Sequence, residues 1–159
     1  MMTLKQLRKS HNITQVECAK YLGIPLRTYQ YYERDDANQN TIKYQFLVEK
    51  LEQYGFIDET HGILTIEQIK KVCEPIFIKY KVQYCYLFGS YAKGKAKETS
   101  DVDLLVYTDA TGLKFYELIE VLRENLKKKI DLLNQDQIKD NNNLINEILK
   151  DGIKIYRWF

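Results

Sequence analysis

Proline, glycine and histidine are scarce in this chain: its 159 residues include 2 prolines, 7 glycines and 2 histidines. Two distant histidines argue against a histidine-rich metal centre, and three cysteines without C-x-x-C spacing argue against a disulfide framework or a zinc site. No apolar run approaches the roughly 20 residues of a membrane span, and the first residues, MMTLKQLRKS, lack the apolar stretch of a signal peptide. We therefore expect a reduced cytoplasmic protein without a membrane partner.

The composition is typical of a packed domain, with 45% hydrophobic and 29% charged residues, and it excludes global disorder. The net charge of +2 is small but unevenly distributed. Residues 1–34 carry six Lys or Arg against two Glu, whereas residues 35–58 carry five acidic residues against two Lys. Such a distribution allows one face to meet phosphate, although ordinary surface scatter explains it as well.

Helical signals alone fill the chain up to about Tyr54. Thr3 and Thr14 are N-cap candidates for two short helices, and the second of these is expected to turn Val16 inward. Gly23 ends that second helix, and a third runs to about residue 34, followed by a fourth. The fourth follows from the helical spacing of Ile42, Phe46, Leu47, Leu51 and Tyr54.

Helices and short strands alternate after a glycine-containing segment without clear periodicity. We therefore predict one domain over residues 1–58, a linker over 59–64 and a second domain over 65–159. Because strands alternate with helices, the second domain is expected to form a sheet covered by helices. Its predicted elements are a helix from Thr65 to Tyr80, strands at 82–88, 101–107 and 129–134, helices at 112–128 and 135–150, and a last strand in GIKIYRWF. Within it, the Lys127–Lys129 run is expected to be a solvated helix end.

The segment LFGSYAKGKAKETSDVDLLV contains most of the candidate metal- and phosphate-binding residues. A hydrophobic strand ends in Gly89-Ser90, and ten residues later Asp101-x-Asp103 leads into an apolar run. Strand alternation places the two aspartates on one face, where a cation would relieve their repulsion and hard oxygen ligands suit Mg²⁺. Gly89 allows close approach of a ligand, and Ser90 can donate to a phosphate oxygen.

A third acid, Asp131, lies between apolar residues in the next predicted strand, where an aspartate is costly unless it is paired or metal-bound. Taken singly, the three aspartates read as a turn cap, a solvated residue and an edge charge. Their combination on consecutive strands favours a metal site instead.

The Gly-Ser, ten residues, Asp-x-Asp pattern resembles the signature of the polymerase β superfamily of nucleotidyltransferases, and most of all its minimal nucleotidyltransferase branch. The resemblance covers residues 65–159, includes Lys93-Gly94, and extends to Asp131 as the third acid. It implies an active enzyme.

The resemblance also implies a role for each of these residues. Asp101, Asp103 and Asp131 would be catalytic and would hold two Mg²⁺ ions, while Gly89, Ser90 and Lys93 would bind the nucleotide, ATP. An acceptor hydroxyl near Asp131 would attack the α-phosphorus, and pyrophosphate would leave. Because about 95 residues leave no room for a further substrate-binding domain, we expect the acceptor to be a macromolecule.

The segment ITQVECAKYLGIPLRTYQYYER has helix, glycine-containing turn and helix, and it resembles the helix-turn-helix of Xre/Cro-type repressors. The resemblance implies that the second helix of the pair enters the major groove. Leu26, Arg27 and Tyr31 would then face bases, and Gln15 and Thr28 would reach phosphates. A helical bundle used only for packing or dimerisation is the alternative.

Together the two resemblances imply an α+β chain, an all-helical lambda-repressor-like domain followed by a polymerase-β-like core with a small mixed sheet. Such a fusion resembles the antitoxin of a HEPN/MNT toxin–antitoxin pair. That family transfers AMP from Mg-ATP to a tyrosine of a HEPN ribonuclease toxin, and the helix-turn-helix would bind operator DNA to regulate its own operon. A homodimer or a hetero-oligomer with the toxin would be expected. The alternatives are a DNA-binding regulator with a non-catalytic nucleotide-binding core and a small-molecule nucleotidyltransferase of the aminoglycoside type.

Overall fold

The first part of the chain forms a bundle of short helices. The computed structural model describes residues 2–34 and 39–158, and the chain divides into two compact units, Met1–Phe56 and Ile57–Phe159. The helices described in the first unit are α1 (Leu4–Ser10), α2 (Gln15–Leu22), α3 (Leu26–Arg34) and α4 (Ile42–Glu52). Thr3 and Thr14 form the capping boxes of α1 and α2, and Gly23 ends α2 with a φ of 70°, a left-handed conformation that glycine adopts without strain.

Apolar side chains from all four of these helices form the core of the first unit. They are Leu4, Leu7, Cys18, Ala19, Leu22, Tyr29, Tyr44, Leu47, Val48 and Leu51. The predicted inward position of Val16 was wrong, since Val16 is 59% exposed. Two of the residues whose spacing predicted α4 are also exposed, Ile42 to 87% and Phe46 to 57%. Burial in so small a bundle is confined to one narrow stripe of each helix, and these three residues lie outside it.

The second unit combines helices with a four-stranded sheet. Its elements, in chain order, are α5 (Ile66–Lys79), β1 (Tyr84–Phe88), α6 (Gly89–Ala92), β2 (Val102–Tyr107), α7 (Leu113–Leu126), β3 (Ile130–Asn134), a 3₁₀ turn (Gln135–Gln137), α8 (Asn142–Asp151) and β4 (Ile153–Arg157). The single helix predicted over 135–150 was wrong: a side-chain cap from Asn134 starts the 3₁₀ turn, and Asn141 caps α8 separately. The first unit is thus all-helical in its described residues and the second is α+β, as expected.

The sheet has the order β3-β2-β1-β4 and is mixed. Strand β1 pairs antiparallel with both β2 and β4, whereas β2 and β3 run parallel, so the starts of β2 and β3 lie side by side. This arrangement brings the end of β1 next to the beginnings of β2 and β3. Residues that are far apart in the chain therefore meet at one end of the sheet.

The two faces of the sheet are covered differently. Buried residues of α5 and α7, among them Phe77 and Leu118, pack against the strand positions Leu87, Leu104 and Val106 in the main core. On the opposite face Ile148 of α8 packs with Phe88 and Leu105 in a smaller cluster. Because side chains alternate along β2, Asp103 shares the α8 face with Leu105.

Cys18, Cys73 and Cys85 are buried free thiols. Burial raises the pKa of the Cys73 thiol to about 12, which keeps it protonated and unreactive near neutral pH. Across the described residues, the helices are all too short or too polar to cross a bilayer.

Candidate active site at the end of the sheet

A glycine turn lies directly against one of the predicted catalytic acids. Strand β1 ends at Phe88, whose register partner on β2 is Asp103, and Gly89 then begins α6 with a φ of 70°. A Cβ atom on Gly89 would lie 2.9 Å from Cγ of Asp103 and would overlap its Oδ2. Position 89 therefore requires glycine for two reasons: the left-handed backbone conformation and the space that the Asp103 carboxylate occupies.

The three aspartates predicted from the sequence come to the same end of the sheet. Asp103 and Asp131 are register partners on the parallel strands β2 and β3, and Asp101 directly precedes β2. Asp103 is half-buried, whereas Asp101 and Asp131 are exposed. Burial, followed by the negative charges of Asp131, Asp101 and Glu147, raises the pKa of Asp103 from 3.8 to about 6.

The donor chemistry of this acidic group fits a divalent metal, although no ligand shell is assembled. Carboxylate oxygens are the ligands that Mg²⁺ prefers, and the raised pKa of Asp103 reports a negative charge that a cation would relieve. Yet within residues 2–34 and 39–158 no three His, Cys, Asp or Glu side chains form a group that could hold a metal ion.

Glu147 is a fourth acid at this site that the sequence analysis missed. Its Oε1 accepts a hydrogen bond of 2.8 Å from Nζ of Lys93, the residue expected to contact the nucleotide. That hydrogen bond raises the pKa of Lys93. No local motif marks Glu147, because it lies on α8, 54 positions from Lys93.

Lys128 contradicts the expectation of a solvated helix end. Its side chain is fully buried, and Nζ donates to the main-chain oxygens of His61 at 3.1 Å, Gly62 at 2.6 Å and Glu98 at 2.6 Å. Burial lowers the pKa of Lys128, while the negative charges of Asp58 and Glu98 oppose that shift. Its neighbours in the run, at positions 127 and 129, are exposed as expected.

Candidate DNA-contacting residues lie on α3 and α2 of the first unit. Leu26, Arg27 and Tyr31 are exposed, and Thr28 is half-buried. Gln15 is engaged within the unit, since its Nε2 lies 3.4 Å from Oε1 of Glu33 and its Oε1 accepts from Gln30 at 3.2 Å.

An ion pair holds α3 in this position. Arg8 of α1 donates to both carboxylate oxygens of Glu33, at 3.1 and 2.9 Å. Burial by itself raises the pKa of Glu33, but the hydrogen bonds from Arg8 and its other neighbours outweigh that effect and lower the pKa below its usual value. The pair thereby ties α1 to α3.

Comparisons with known proteins divide the chain at the same place. The family model described as polymerase beta, nucleotidyltransferase matches residues 67–158, and a helix-turn-helix model matches residues 4–52. The first covers the sheet with its three aspartates, and the second covers α1 to α4.

Relatives with similar sequences match about half of this chain. The protein adenylyltransferase MntA of Thermococcus cleftensis is 36% identical over 84 residues, 49% of this chain and 85% of its own. A Methanocaldococcus jannaschii protein, provisionally named as a protein adenylyltransferase, is 39% identical over 80 residues, 46% of this chain and 93% of its own. A solved structure of a tri-AMPylated Shewanella oneidensis HEPN toxin in complex with MNT antitoxin matches with a TM-score of 0.46 and 19% identity, over 59% of this chain and 74% of that one. The last similarity is too low to support an inference.

Proposed function

This chain belongs to the polymerase β nucleotidyltransferase family, and from that membership we propose that it is an antitoxin which transfers AMP from ATP to a protein. Enzymes of this family use a nucleotide substrate and typically a divalent metal. The relatives named protein adenylyltransferases support a protein as the acceptor. The two alternatives from the sequence, a non-catalytic regulator and a small-molecule enzyme, are outcomes of the experiment below.

The juxtaposition of Gly89 with Asp103, and of Asp103 with Asp131, carries the proposal. A turn whose first N–H groups have no acceptor within their own helix adjoins a carboxylate group with a raised pKa. This combination suits a triphosphate and its cations, because the turn can donate to phosphate oxygens while the carboxylates hold positive charge. An uncharged substrate would not relieve the repulsion between these carboxylates, so the site does not suit one.

Each residue then has a definite task. Gly89 and Ser90 bind the β- and γ-phosphates, and Lys93 balances their charge. Asp101, Asp103 and Asp131 would hold two Mg²⁺ ions. Bound Mg²⁺ would neutralise charge on the triphosphate and make a nearby hydroxyl more acidic.

Asp131 would orient the acceptor hydroxyl and take its proton. The hydroxyl oxygen forms a bond to the α-phosphorus as the bond to the bridging oxygen breaks, and pyrophosphate carries away the electron pair. The product is an AMP ester of the acceptor side chain. The acceptor protein would present this side chain from its own surface.

We further propose that the acceptor is a tyrosine of a HEPN ribonuclease toxin, the target that the family resemblance implies. An adenylyl group adds bulk and negative charge, which would block and repel an RNA phosphate. The helix-turn-helix unit would bind operator DNA through Leu26, Arg27 and Tyr31, which are exposed, as base contacts require. Thr28 and Gln15 would contact phosphates, and binding as a dimer would match two half-sites.

The test uses the full-length protein with Mg²⁺ and ATP labelled at the α- or the γ-phosphate. The acceptor offered is the protein encoded by the neighbouring gene, and kanamycin is offered separately. We expect α-label, and no γ-label, on the protein acceptor, with loss of transfer in Asp101→Ala and Asp103→Ala. Asp109→Ala is the matched control, because this exposed aspartate lies beyond the opposite end of β2.

Three other results would redirect the assignment. Label on kanamycin alone would indicate a small-molecule enzyme. No transfer of either label, with operator binding intact, would leave a DNA-binding regulator with a non-catalytic core. Toxin neutralisation that survives in Asp103→Ala would contradict an enzymatic antitoxin.

A further inference from the structure

The ammonium group of Lys128 joins two segments that are far apart in the sequence. Nζ of Lys128 binds the main-chain oxygens of residues 61 and 62, which precede α5, and that of Glu98, which lies in the loop leading to Asp101. A fully buried lysine needs such acceptors, because an unpaired ammonium in the interior is costly. Removing Lys128 would therefore release both segments at once.

The loop held through Glu98 leads directly into the catalytic acids. Its amides are ordered by short contacts, from Ser100 N to Lys97 O at 3.0 Å and from Lys97 N to Ser100 Oγ at 2.8 Å. Val102, which separates Asp101 from Asp103, donates its N–H to Lys129 O at 2.9 Å. The hydrogen bonds made by the Lys128 side chain and by the main-chain oxygen of Lys129 thus hold the chain before and after Asp101.

The segment 57–64 has further ties to the same region. Gly62 N donates to Oε1 of Glu98 at 3.2 Å, and Arg123 Nε donates to Oε1 of Glu59 at 2.7 Å. Leu64 N lies 3.5 Å from the hydroxyl of Tyr91, on the helix that begins at Gly89. Segment 57–64 follows the helix-turn-helix unit in the chain. It is therefore attached to the parts of the fold that border the turn at Gly89 and the aspartates.

We propose that Lys128 is a positioning residue that couples the docking of segment 57–64 to the geometry of the Asp101–Asp103 pair. The inference rests on the proposed function for its effect on catalysis, but the coupling itself is a property of the fold. A displacement of catalytic groups by about 1 Å can cost on the order of 100-fold in rate. Release of the Glu98 carbonyl is thus expected to lower kcat far more than it changes the KM for ATP.

Hydrogen exchange of the metal-free protein tests the coupling without any enzymatic reaction. Lys128→Met is compared with Lys129→Met, the same change at the exposed neighbouring position. We expect Lys128→Met to accelerate exchange about tenfold or more in both 57–64 and 95–102, with the core of β1 unchanged. Lys129→Met should leave both segments protected. Faster exchange in 57–64 alone would overturn the coupling and reduce Lys128 to an anchor of that segment.

A second variant covers the case in which Lys128→Met does not fold. Arg123→Gln breaks the exposed ion pair with Glu59 and leaves the buried ammonium in place. If the docking of segment 57–64 is coupled to the loop that leads to Asp101, amide exchange in Arg123→Gln rises in 95–102 as well as in 57–64. Faster exchange in 57–64 with unchanged exchange in 95–102 refutes the coupling. Binding of Mn²⁺, followed by electron paramagnetic resonance, gives the metal readout, and its affinity should fall several-fold in Lys128→Met but not in Lys129→Met.

The proposed function can fail independently of this inference. A wild-type protein that transfers no AMP would contradict the enzyme assignment, while the exchange data would still decide whether Lys128 couples the two segments. If transfer does occur, a fall in kcat at nearly constant KM in Lys128→Met separates positioning from loss of nucleotide binding.

Discussion

Replacing Asp103 by Asn should stabilise the metal-free protein at neutral pH while abolishing its activity. The pKa of this carboxyl is raised from 3.8 to about 6 by burial and by neighbouring acids. Below 3.8 the group is protonated in the folded and the unfolded chain, so folding loses nothing. Between pH 3.8 and about 6 the unfolded chain has lost this proton while the folded chain still holds it, so stability falls as the pH rises through that range and stays lowered above it.

The size of the effect follows from the difference between the ordinary pKa of 3.8 and the pKa of about 6 that Asp103 has in the fold. At about 1.4 kcal/mol per pH unit the ionised carboxylate costs at most about 3 kcal/mol, and partial exposure lowers this to about 1–2 kcal/mol. Asparagine resembles the protonated acid in shape and carries no charge, so it avoids this cost at every pH. For a unit of about 100 residues, the melting temperature should rise by about 5 °C or more at pH 8.

The assay is thermal unfolding in a chelator at pH 4.5 and pH 8, with Asp109→Asn as the control for an exposed carboxylate. We expect Asp103→Asn to exceed the wild type clearly at pH 8 and only slightly at pH 4.5. Added Mg²⁺ should stabilise the wild type and leave the variant unchanged. An equal gain at both pH values, or the same gain in Asp109→Asn, would refute the electrostatic account of the site.

The remaining predictions concern the turn, the ion pair beside it and the DNA-binding surface. Gly89→Ala should cost at least about 1–3 kcal/mol more than Gly94→Ala, because both have a φ of 70° but only Gly89 faces a carboxylate; equal melting temperatures would contradict this. Glu147→Gln should lower the KM for ATP about two- to fivefold by releasing Lys93 and removing a negative charge, and steady-state kinetics showing a higher KM would mean that the pair orients Lys93 instead. Arg27→Ala should weaken specific operator binding by about 1–3 kcal/mol in a mobility-shift titration without changing the melting temperature, and unchanged affinity would remove it from base readout.

Local signals in the sequence predicted most of the helices and strands correctly. Thr3, Thr14 and Thr65 cap their helices because a hydroxyl three positions before a Gln or Glu satisfies free N–H groups within one turn. The order of helices and strands, and the neighbouring positions of Asp103 and Asp131, could also be anticipated, since alternation and strand order are properties of the backbone. The prediction was wrong for the inward position of Val16, which depends on what packs against α2, and for the first half of the 135–150 helix, where Gln135–Gln137 form a 3₁₀ turn.

The sequence by itself thus predicted the two units, the glycine turn and the three acids, because each prediction rests on contacts between residues close in the chain or on a spacing that a single strand enforces. Only the tertiary structure decided that Lys128 is buried and that Glu147 holds Lys93. Those contacts span 30 to 67 positions and depend on how helices and loops pack around the end of the sheet. The same lysine in an isolated helix end would face water, and its burial follows from the three carbonyl groups that the fold brings to it.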